Sequence, residues 1–161
     1  MAADAVDYSI VIPVFYNEGS LETVEAELRA KVIEALPRYK GEILFVDDGS
    51  GDKSYEVLQT IRERHKNDVR VIKLSRNFGQ VNAVWCGFSH APSAVIMFSA
   101  DGQDPVDLIP EMLEKHFDQG YEVVIAKRTS REDGIIRSLT SSIVYWLMRK
   151  MTNDDMPIGG F

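Results

Sequence analysis

The sequence predicts an α/β fold in which a mostly parallel sheet carries helices on both faces. Short apolar runs rich in Val and Ile alternate along the chain with longer segments whose apolar residues recur at helical spacing. Strands that alternate with helices pair in parallel, because each helix returns the chain to the same end of the sheet. A length of 161 residues suits one core, so we expect a single domain over residues 1–161.

Five strands and five helices are predicted. The first strand, Tyr8–Val14, is an almost unbroken apolar run, as in strands that are buried on both faces. The first helix carries Leu21, Val24 and Leu28 on one side and is closed by Pro37. The other strands are expected at 42–46, 69–74, 94–98 and 121–126, and the helices at 18–36, 54–65, 80–90, 107–119 and 134–151.

Composition excludes some classes of function. The net charge of -7 and the pI near 5.0 repel phosphate backbones, so nucleic acid is not an expected partner. A single cysteine, Cys86, rules out an intramolecular disulfide, and the N-terminus does not resemble a signal peptide. Both features favour the cytoplasm. The aromatic face predicted for residues 134–151 leaves association with the cytoplasmic face of a membrane open, and a homo-oligomer is also left open.

Acidic residues follow two of the predicted strands. In an open parallel sheet, ligands bind beyond the carboxyl ends of the strands. Asp47 and Asp48 follow the second strand and can accept hydrogen bonds from a base or a ribose, or can shape the Gly-rich turn that comes next. Asp101 follows the fourth strand, where a carboxylate can hold Mg²⁺ or Mn²⁺ against phosphate oxygens or can simply form a turn.

Cations follow the fifth predicted strand. Lys127, Arg128 and Arg131 can neutralise a diphosphate, although a solvated basic loop is the ordinary alternative. The first strand is followed by Asn17 and Glu18 rather than by a G-x-G-x-x-G fingerprint, which disfavours nicotinamide and flavin enzymes. The same acidic loop disfavours a nucleotidyltransferase, which would need a basic, Gly-rich loop for a triphosphate.

Five stretches together resemble the family-2 inverting glycosyltransferases of GT-A fold, within the branch of dolichyl-phosphate mannose synthase and bacterial polyprenyl-phosphate sugar transferases. These enzymes serve polysaccharide and cell-envelope biosynthesis. The stretches occur in the family's order and span nearly the whole chain: IVIPVFYNE (10–18), ILFVDDGS (43–50), LSRNFGQVNAVWCG (74–87), DGQDP (101–105) and VVIAKR (123–128).

The resemblance implies a nucleoside-diphosphate sugar as donor and a polyprenyl phosphate or a glycan as acceptor. Asp101 and Gln103 would lie near a divalent metal and the diphosphate, and Asp101, Arg128 and Arg131 would serve the chemistry. The residues implied around the donor nucleotide are Pro13, Tyr16, Glu18, Asp47, Asp48 and Gln103.

Two departures from the family pattern bear on these expectations. Ser99 stands where the family often has the first acid of an Asp-Ala-Asp motif, so one metal carboxylate is missing. Phe15 and Tyr16 stand where the family commonly has one aromatic residue, which leaves open which of them packs beside the base. The family's acceptor-side residues are not found after Gly160, so we expect a C-terminally truncated fragment that transfers sugar poorly. A binding module without activity is the alternative.

Overall fold

The computed structural model describes residues 6–126, and those through Ile125 belong to one compact unit. Its centre is a four-stranded sheet of order β3-β2-β1-β4, in which every neighbouring pair is parallel. The order reverses direction at β1, so a crevice opens beyond the carboxyl end of that strand. The strands are β1 (Tyr8–Val14), β2 (Gly41–Asp47), β3 (Val69–Lys73) and β4 (Ala94–Met97).

Three of the helices cover one face of the sheet. They are α1 (Leu21–Leu28), α2 (Ser54–Arg64) and α4 (Ile109–Phe117), and their apolar side chains form one cluster with alternate residues of β1 and β2. Ile10 and Ile12 lie at the centre of this cluster and are fully buried. Because successive strand residues point to opposite faces, Val11 between them points to the other side.

The opposite face is covered by α3 (Gln80–His90). Ala83 of α3 packs with Val11, Leu44 and Val46 of the sheet in a second, smaller cluster. Gly87, one turn later, brings the helix so close to β1 that a Cβ there would lie 2.3 Å from the Val11 side chain. The prediction of an α/β sheet with helices on both faces is therefore confirmed.

Element boundaries differ from the prediction at three places. The first predicted helix ends early, since a π-helical turn (Arg29–Ile33) follows α1, and a 3₁₀ turn (Val106–Leu108) precedes α4. The fifth strand, expected at 121–126, was wrong, because within the described part of the chain those residues form no strand and pair with none. Val123 and Ile125 are 75% and 82% exposed there. Alternating apolar residues favour a strand, but only a neighbouring strand can supply the hydrogen bonds that make one.

The helix expected at 134–151 lies outside the described residues. Among residues 6–126, no helix combines the length and the apolar character that crossing a bilayer requires.

Candidate functional site

A cleft of about 310 Å³ lies at the carboxyl ends of β1 and β4, beside the N-terminus of α3. Its position is the one expected for ligands in a parallel sheet, and its volume lies within the range of small-molecule sites. The residues that line it come from the end of β1, from the four loops that follow the strands and from the first half of α3. They are Pro13, Val14, Phe15, Asn17, Asp48, Asn77, Gln80, Ala83, Ser99, Ala100 and Asp101.

The loop after β1 is fastened to the loop after β2 by hydrogen bonds in both directions. The backbone N–H of Asn17 donates to the Ser54 hydroxyl at 2.9 Å, and the N–H of Lys53 donates to Glu18 Oε2 at 2.8 Å. The N–H of Glu18 in turn reaches the Asp52 carboxylate at 3.4 Å. Glu18 therefore caps the segment that begins α2. It is not among the cleft-lining residues, although the resemblance implied a nucleotide contact.

Two adjacent aromatic residues of this loop have different positions relative to the cleft. Tyr16 has a φ of 58°, which is uncommon for a residue other than glycine, and its hydroxyl end packs against Gly51, where a Cβ would lie 2.5 Å from Tyr16 Oη. Phe15, 47% exposed, lines the cleft instead. The two rings pack edge to face with their centroids 4.6 Å apart, and Phe15 is the one of the two that a ligand in the cleft would meet.

The two aspartates after β2 have different environments. Asp47 is fully buried and does not line the cleft. Its Oδ1 accepts the backbone N–H of Ser50, and its Oδ2 has no hydrogen-bond partner among the described residues. Asp48 does line the cleft, and it accepts the N–H of Phe78 at 2.7 Å and of Gly79 at 2.9 Å. Asp48 therefore fixes the chain just before α3.

This junction is tight in its main chain as well. Gly49 has a φ of +70°, and a Cβ there would lie 2.5 Å from the carbonyl carbon of Arg76 and 2.7 Å from the N of Asn77. The turn after β2 and the loop 75–79 consequently fit against each other through backbone atoms. That contact sets where Asn77 and Gln80 reach the cleft.

Asp101 is the exposed carboxylate of the cleft. Its Oδ1 accepts the N–H of Gln103 at 3.0 Å in a local turn, and Gly102 between them has a φ of +69°. Gln103 is exposed but does not line the cleft, so the structure joins it to Asp101 through its backbone only. Ser99 lines the cleft beside Asp101, at the position where the first acid of an Asp-Ala-Asp motif would stand.

The cleft fits a metal only when the ligand brings oxygens of its own. Within residues 6–126, no three His, Cys, Asp or Glu side chains come together as a ligand set. Two carboxylates line the cleft, and Asp48 is engaged by the N–H groups of Phe78 and Gly79, which leaves Asp101 as the candidate metal residue. The other side-chain oxygens on the lining belong to Asn17, Asn77, Gln80 and Ser99. Mg²⁺ and Mn²⁺ are compatible with that set, because Mg²⁺ is commonly held by one or two carboxylates together with substrate phosphates.

The charge of the cleft is acidic. The charged side chains among the described lining residues are Asp48 and Asp101, and no Lys or Arg is among them. The predicted phosphate cations, Lys127, Arg128 and Arg131, lie outside the described residues. A diphosphate bound by the described part alone would therefore need a cation between it and the carboxylates.

Some lining residues were not predicted. Gln80 is one of them. It follows Asn77, which the rule that ligands bind beyond strand ends does indicate after β3, by three positions, so the same rule could have found it. Ser20 is different. Its hydroxyl donates to the carbonyl of Ala100 at 2.6 Å, across 80 positions of sequence, and nothing in the sequence indicates that contact.

Comparisons with known proteins agree with this geometry. The chain is 42% identical over 157 residues to an uncharacterized glycosyltransferase, YkcC, of Bacillus subtilis, which covers 95% of this chain and 47% of that protein. It is 36% identical over 149 residues to the undecaprenyl-phosphate 4-deoxy-4-formamido-L-arabinose transferase of Photorhabdus laumondii, covering 92% of this chain and 45% of that one. The chain thus spans about half the length of these relatives.

A solved structure has the same fold. The mannosyltransferase PcManGT of Pyrobaculum calidifontis, determined with GDP-Man and Mn²⁺, superposes with a TM-score of 0.61 at 18% identity, covering 77% of this chain and 38% of that one. The fold is that of the GT-A glycosyltransferases. Residues 9–158 match the family model described as glycosyl transferase family 2, and the chain belongs to that family.

Proposed function

We propose that this chain forms the donor side of an inverting glycosyltransferase, which moves a sugar from a nucleoside diphosphate to a polyprenyl phosphate. The observation that carries the proposal is the cleft beyond β1 and β4, which has an exposed carboxylate at Asp101 and no cation among its described lining residues. Family membership and the relative named for undecaprenyl phosphate support the reaction and favour a polyprenyl phosphate over a glycan as acceptor.

Each wall of the cleft suits one part of the donor. Phe15 and Pro13 offer apolar surface for a base, and the amides of Asn17 and Asn77 offer hydrogen bonds to ribose hydroxyls. Asp101 would hold a divalent cation, which would neutralise charge on the diphosphate when bound. Uridine and guanosine diphosphates are the candidate nucleotides, with uridine favoured.

The reaction needs little from the protein in proton transfer. The anomeric carbon loses its bond to the diphosphate oxygen and gains one to an acceptor oxygen on the opposite side, which inverts the configuration. A phosphate acceptor is already ionised near neutral pH, so positioning and neutralisation of the departing nucleoside diphosphate are the main requirements. Arg128 and Arg131, outside the described residues, are proposed to contribute charge to that neutralisation.

The test is a panel of nucleoside diphosphates and their sugars, scored by thermal stabilisation with and without Mn²⁺. A ligand at about 100 times its Kd should stabilise the fold by roughly 2.7 kcal/mol. If no member of the panel raises the melting temperature at millimolar concentration with Mn²⁺ present, the donor site is wrongly assigned. If a sugar nucleotide does stabilise the fold, release of its nucleoside diphosphate would distinguish a transferase from a module that only binds.

Asp101→Ala tests the carboxylate. We expect it to remove the Mn²⁺-dependent part of the stabilisation while the fold keeps its stability, since the side chain is exposed. Asp107→Ala is the matched control, because Asp107 is also exposed, pairs with Lys31 at the surface and does not line the cleft. Equal responses of the two variants to Mn²⁺ would show that Asp101 is not the metal residue.

A further inference from the structure

Ser20 occupies a position in which serine usually has another task. It precedes the first residue of α1, where a serine hydroxyl normally accepts a backbone N–H of the first helical turn. Here it makes no such capping bond. The hydroxyl has one proton, and it donates that proton to the carbonyl of Ala100 at 2.6 Å, with the carbonyl of Asn17 farther away at 3.2 Å.

The carbonyl that Ser20 holds immediately precedes Asp101. On the other side of Asp101, Gly102 lies near Val24, since a Cβ added at Gly102 would be 3.5 Å from the Val24 side chain. Both neighbours of the carboxylate thus lie close to the start of α1, and the Ala100 side is held there by a hydrogen bond. Asp101 Oδ1 is fixed by its own turn to Gln103.

The same serine also connects the two walls of the cleft. Its backbone N–H donates to the carbonyl of Asn17 at 3.0 Å. Asn17 lines the cleft from the loop after β1, whereas Asp101 lines it from the loop after β4. Asn17 is itself held by the bond from its N–H to Ser54. Ser20 therefore links the loop after β1 to the Asp101 turn through its backbone N–H and its hydroxyl.

We propose that Ser20 is a positioning residue for the metal–diphosphate end of the donor site, acting through Asp101. The inference rests on the proposed function, because it takes Asp101 to be the metal residue. Because Asp48 is engaged by the N–H groups before α3, Asp101 is the carboxylate left for a cation, and the affinity for a metal–nucleotide complex depends on how firmly Asp101 is held. Loss of the Ser20 hydroxyl leaves the Ala100 carbonyl without this partner and releases the turn.

The simpler alternative is that Ser20 only satisfies a buried carbonyl, so that its loss affects stability and nothing else. Ser9 provides the matched control. It is fully buried, lies near the other end of β1, and donates to the Glu42 carboxylate at 2.8 Å, away from the cleft. Ser9→Ala removes one buried hydroxyl hydrogen bond, as Ser20→Ala does.

The experiment measures the Kd of UDP and of GDP by calorimetry, with and without Mn²⁺, for the full chain and its variants. Ser20→Ala should weaken binding of the better nucleotide about tenfold when Mn²⁺ is present, which is the lower end of the range for groups that orient metal ligands. Without Mn²⁺ the loss should be less than about twofold. Ser20→Thr keeps the hydroxyl and should restore binding, and Ser9→Ala should change neither value.

Two further comparisons decide the mechanism. In an Asp101→Ala background, Ser20→Ala should have no additional effect on Mn²⁺ dependence, because the two residues act on one step. Ser20→Gly gives the same test with a residue that is tolerated before a helix, should the alanine variant fail to fold.

The outcomes separate the two proposals. If the wild type binds with Mn²⁺ and Ser20→Ala binds equally well, or loses as much without Mn²⁺ as with it, the role of Ser20 is overturned while the proposed function stands. If the wild type binds a nucleotide equally well with and without Mn²⁺, the role of Ser20 is likewise overturned while the proposed function stands. If the wild type binds neither nucleotide even with Mn²⁺, both are overturned.

Discussion

Gly49→Ala should damage the fold and the cleft together. The new methyl group would lie 2.5 Å from the carbonyl carbon of Arg76, whereas non-bonded carbons prefer about 3.5 Å or more. Backbone atoms cannot rotate away, so the loop 75–79 must retreat by about 1 Å. The N–H groups of Phe78 and Gly79, now 2.7 and 2.9 Å from Asp48, would then pass beyond hydrogen-bond distance.

The magnitude follows from two contributions. A positive φ costs a residue with a Cβ roughly 1–2 kcal/mol, and hydrogen bonds to a charged group contribute about 1.5–3 kcal/mol each. Gly120→Ala isolates the first contribution, since Gly120 has a φ of +77° against +70° at Gly49 and no atom within 4 Å of its added Cβ. Gly49→Ala should therefore lower the free energy of unfolding by at least about 1.5 kcal/mol more than Gly120→Ala.

Urea unfolding measures both variants, and thermal stabilisation by nucleoside diphosphate measures the cleft. We expect Gly120→Ala to keep the ligand response and Gly49→Ala to lose most of it, because Asn77 and Gln80 move with the loop. Equal destabilisation of the two variants, within about 0.5 kcal/mol, would mean that the loop yields without cost and that Asp48 does not hold it.

Three other predictions concern pH and metal. Burial raises the pKa of Tyr8 to about 12 from 10.0, so the chain should lose stability as the pH rises from 10 through 12. Tyr8→Phe should remove that loss. Because the buried Tyr8 hydroxyl has no hydrogen-bond partner among the described residues, the variant should also be more stable by about 1 kcal/mol at pH 7, and denaturant curves measure both effects. Burial raises the pKa of Asp52, but hydrogen bonds from Ser54 outweigh that effect and leave the pKa below 3.8. The carboxylate therefore stabilises the fold above pH 3.8, and this contribution is lost as the pH falls below 3.8. Asp52→Asn should make stability depend less on pH in that range, and an unchanged dependence would contradict the assignment. Mn²⁺ alone should bind weakly, with a Kd of at least about 1 mM by electron paramagnetic resonance, and a nucleoside diphosphate should lower that Kd. Micromolar binding of Mn²⁺ without nucleotide would require metal ligands beyond Asp101.

The sheet and its helices could be predicted because each depends on local periodicity. The apolar run of β1 and the helical spacing of α2 and α3 determine what those segments become, and the order of elements then leaves few ways to pair the strands. The predicted strand at 121–126 failed for the opposite reason. Its pattern is as apolar as that of β4, but a strand needs a partner, and periodicity contains no information about partners.

The candidate site was predictable by position and less so by role. The strand-end rule placed Pro13, Asp48 and Asp101 near a ligand, and all three line the cleft. It could not distinguish residues that face a ligand from residues that hold the loops. Glu18 is engaged by a backbone N–H 35 positions away, a relation that only the folded chain creates.

The loss of one acid at Ser99 changes what the remaining residues must do. A site with two free carboxylates can hold a divalent cation before the nucleotide arrives. Here Asp48 is engaged by backbone N–H groups, so a site that relies on Asp101 gains most of its metal affinity from the diphosphate. Metal and nucleotide should then bind as one complex, and by linkage each should raise the affinity for the other by the same factor. Ser99→Asp, which restores the second carboxylate at the lining position, should let Mn²⁺ bind without nucleotide and reduce that mutual factor. If Mn²⁺ affinity without nucleotide were unchanged in Ser99→Asp, the side chain at 99 would not face the cation, and the missing carboxylate could not be the reason for a weak metal site.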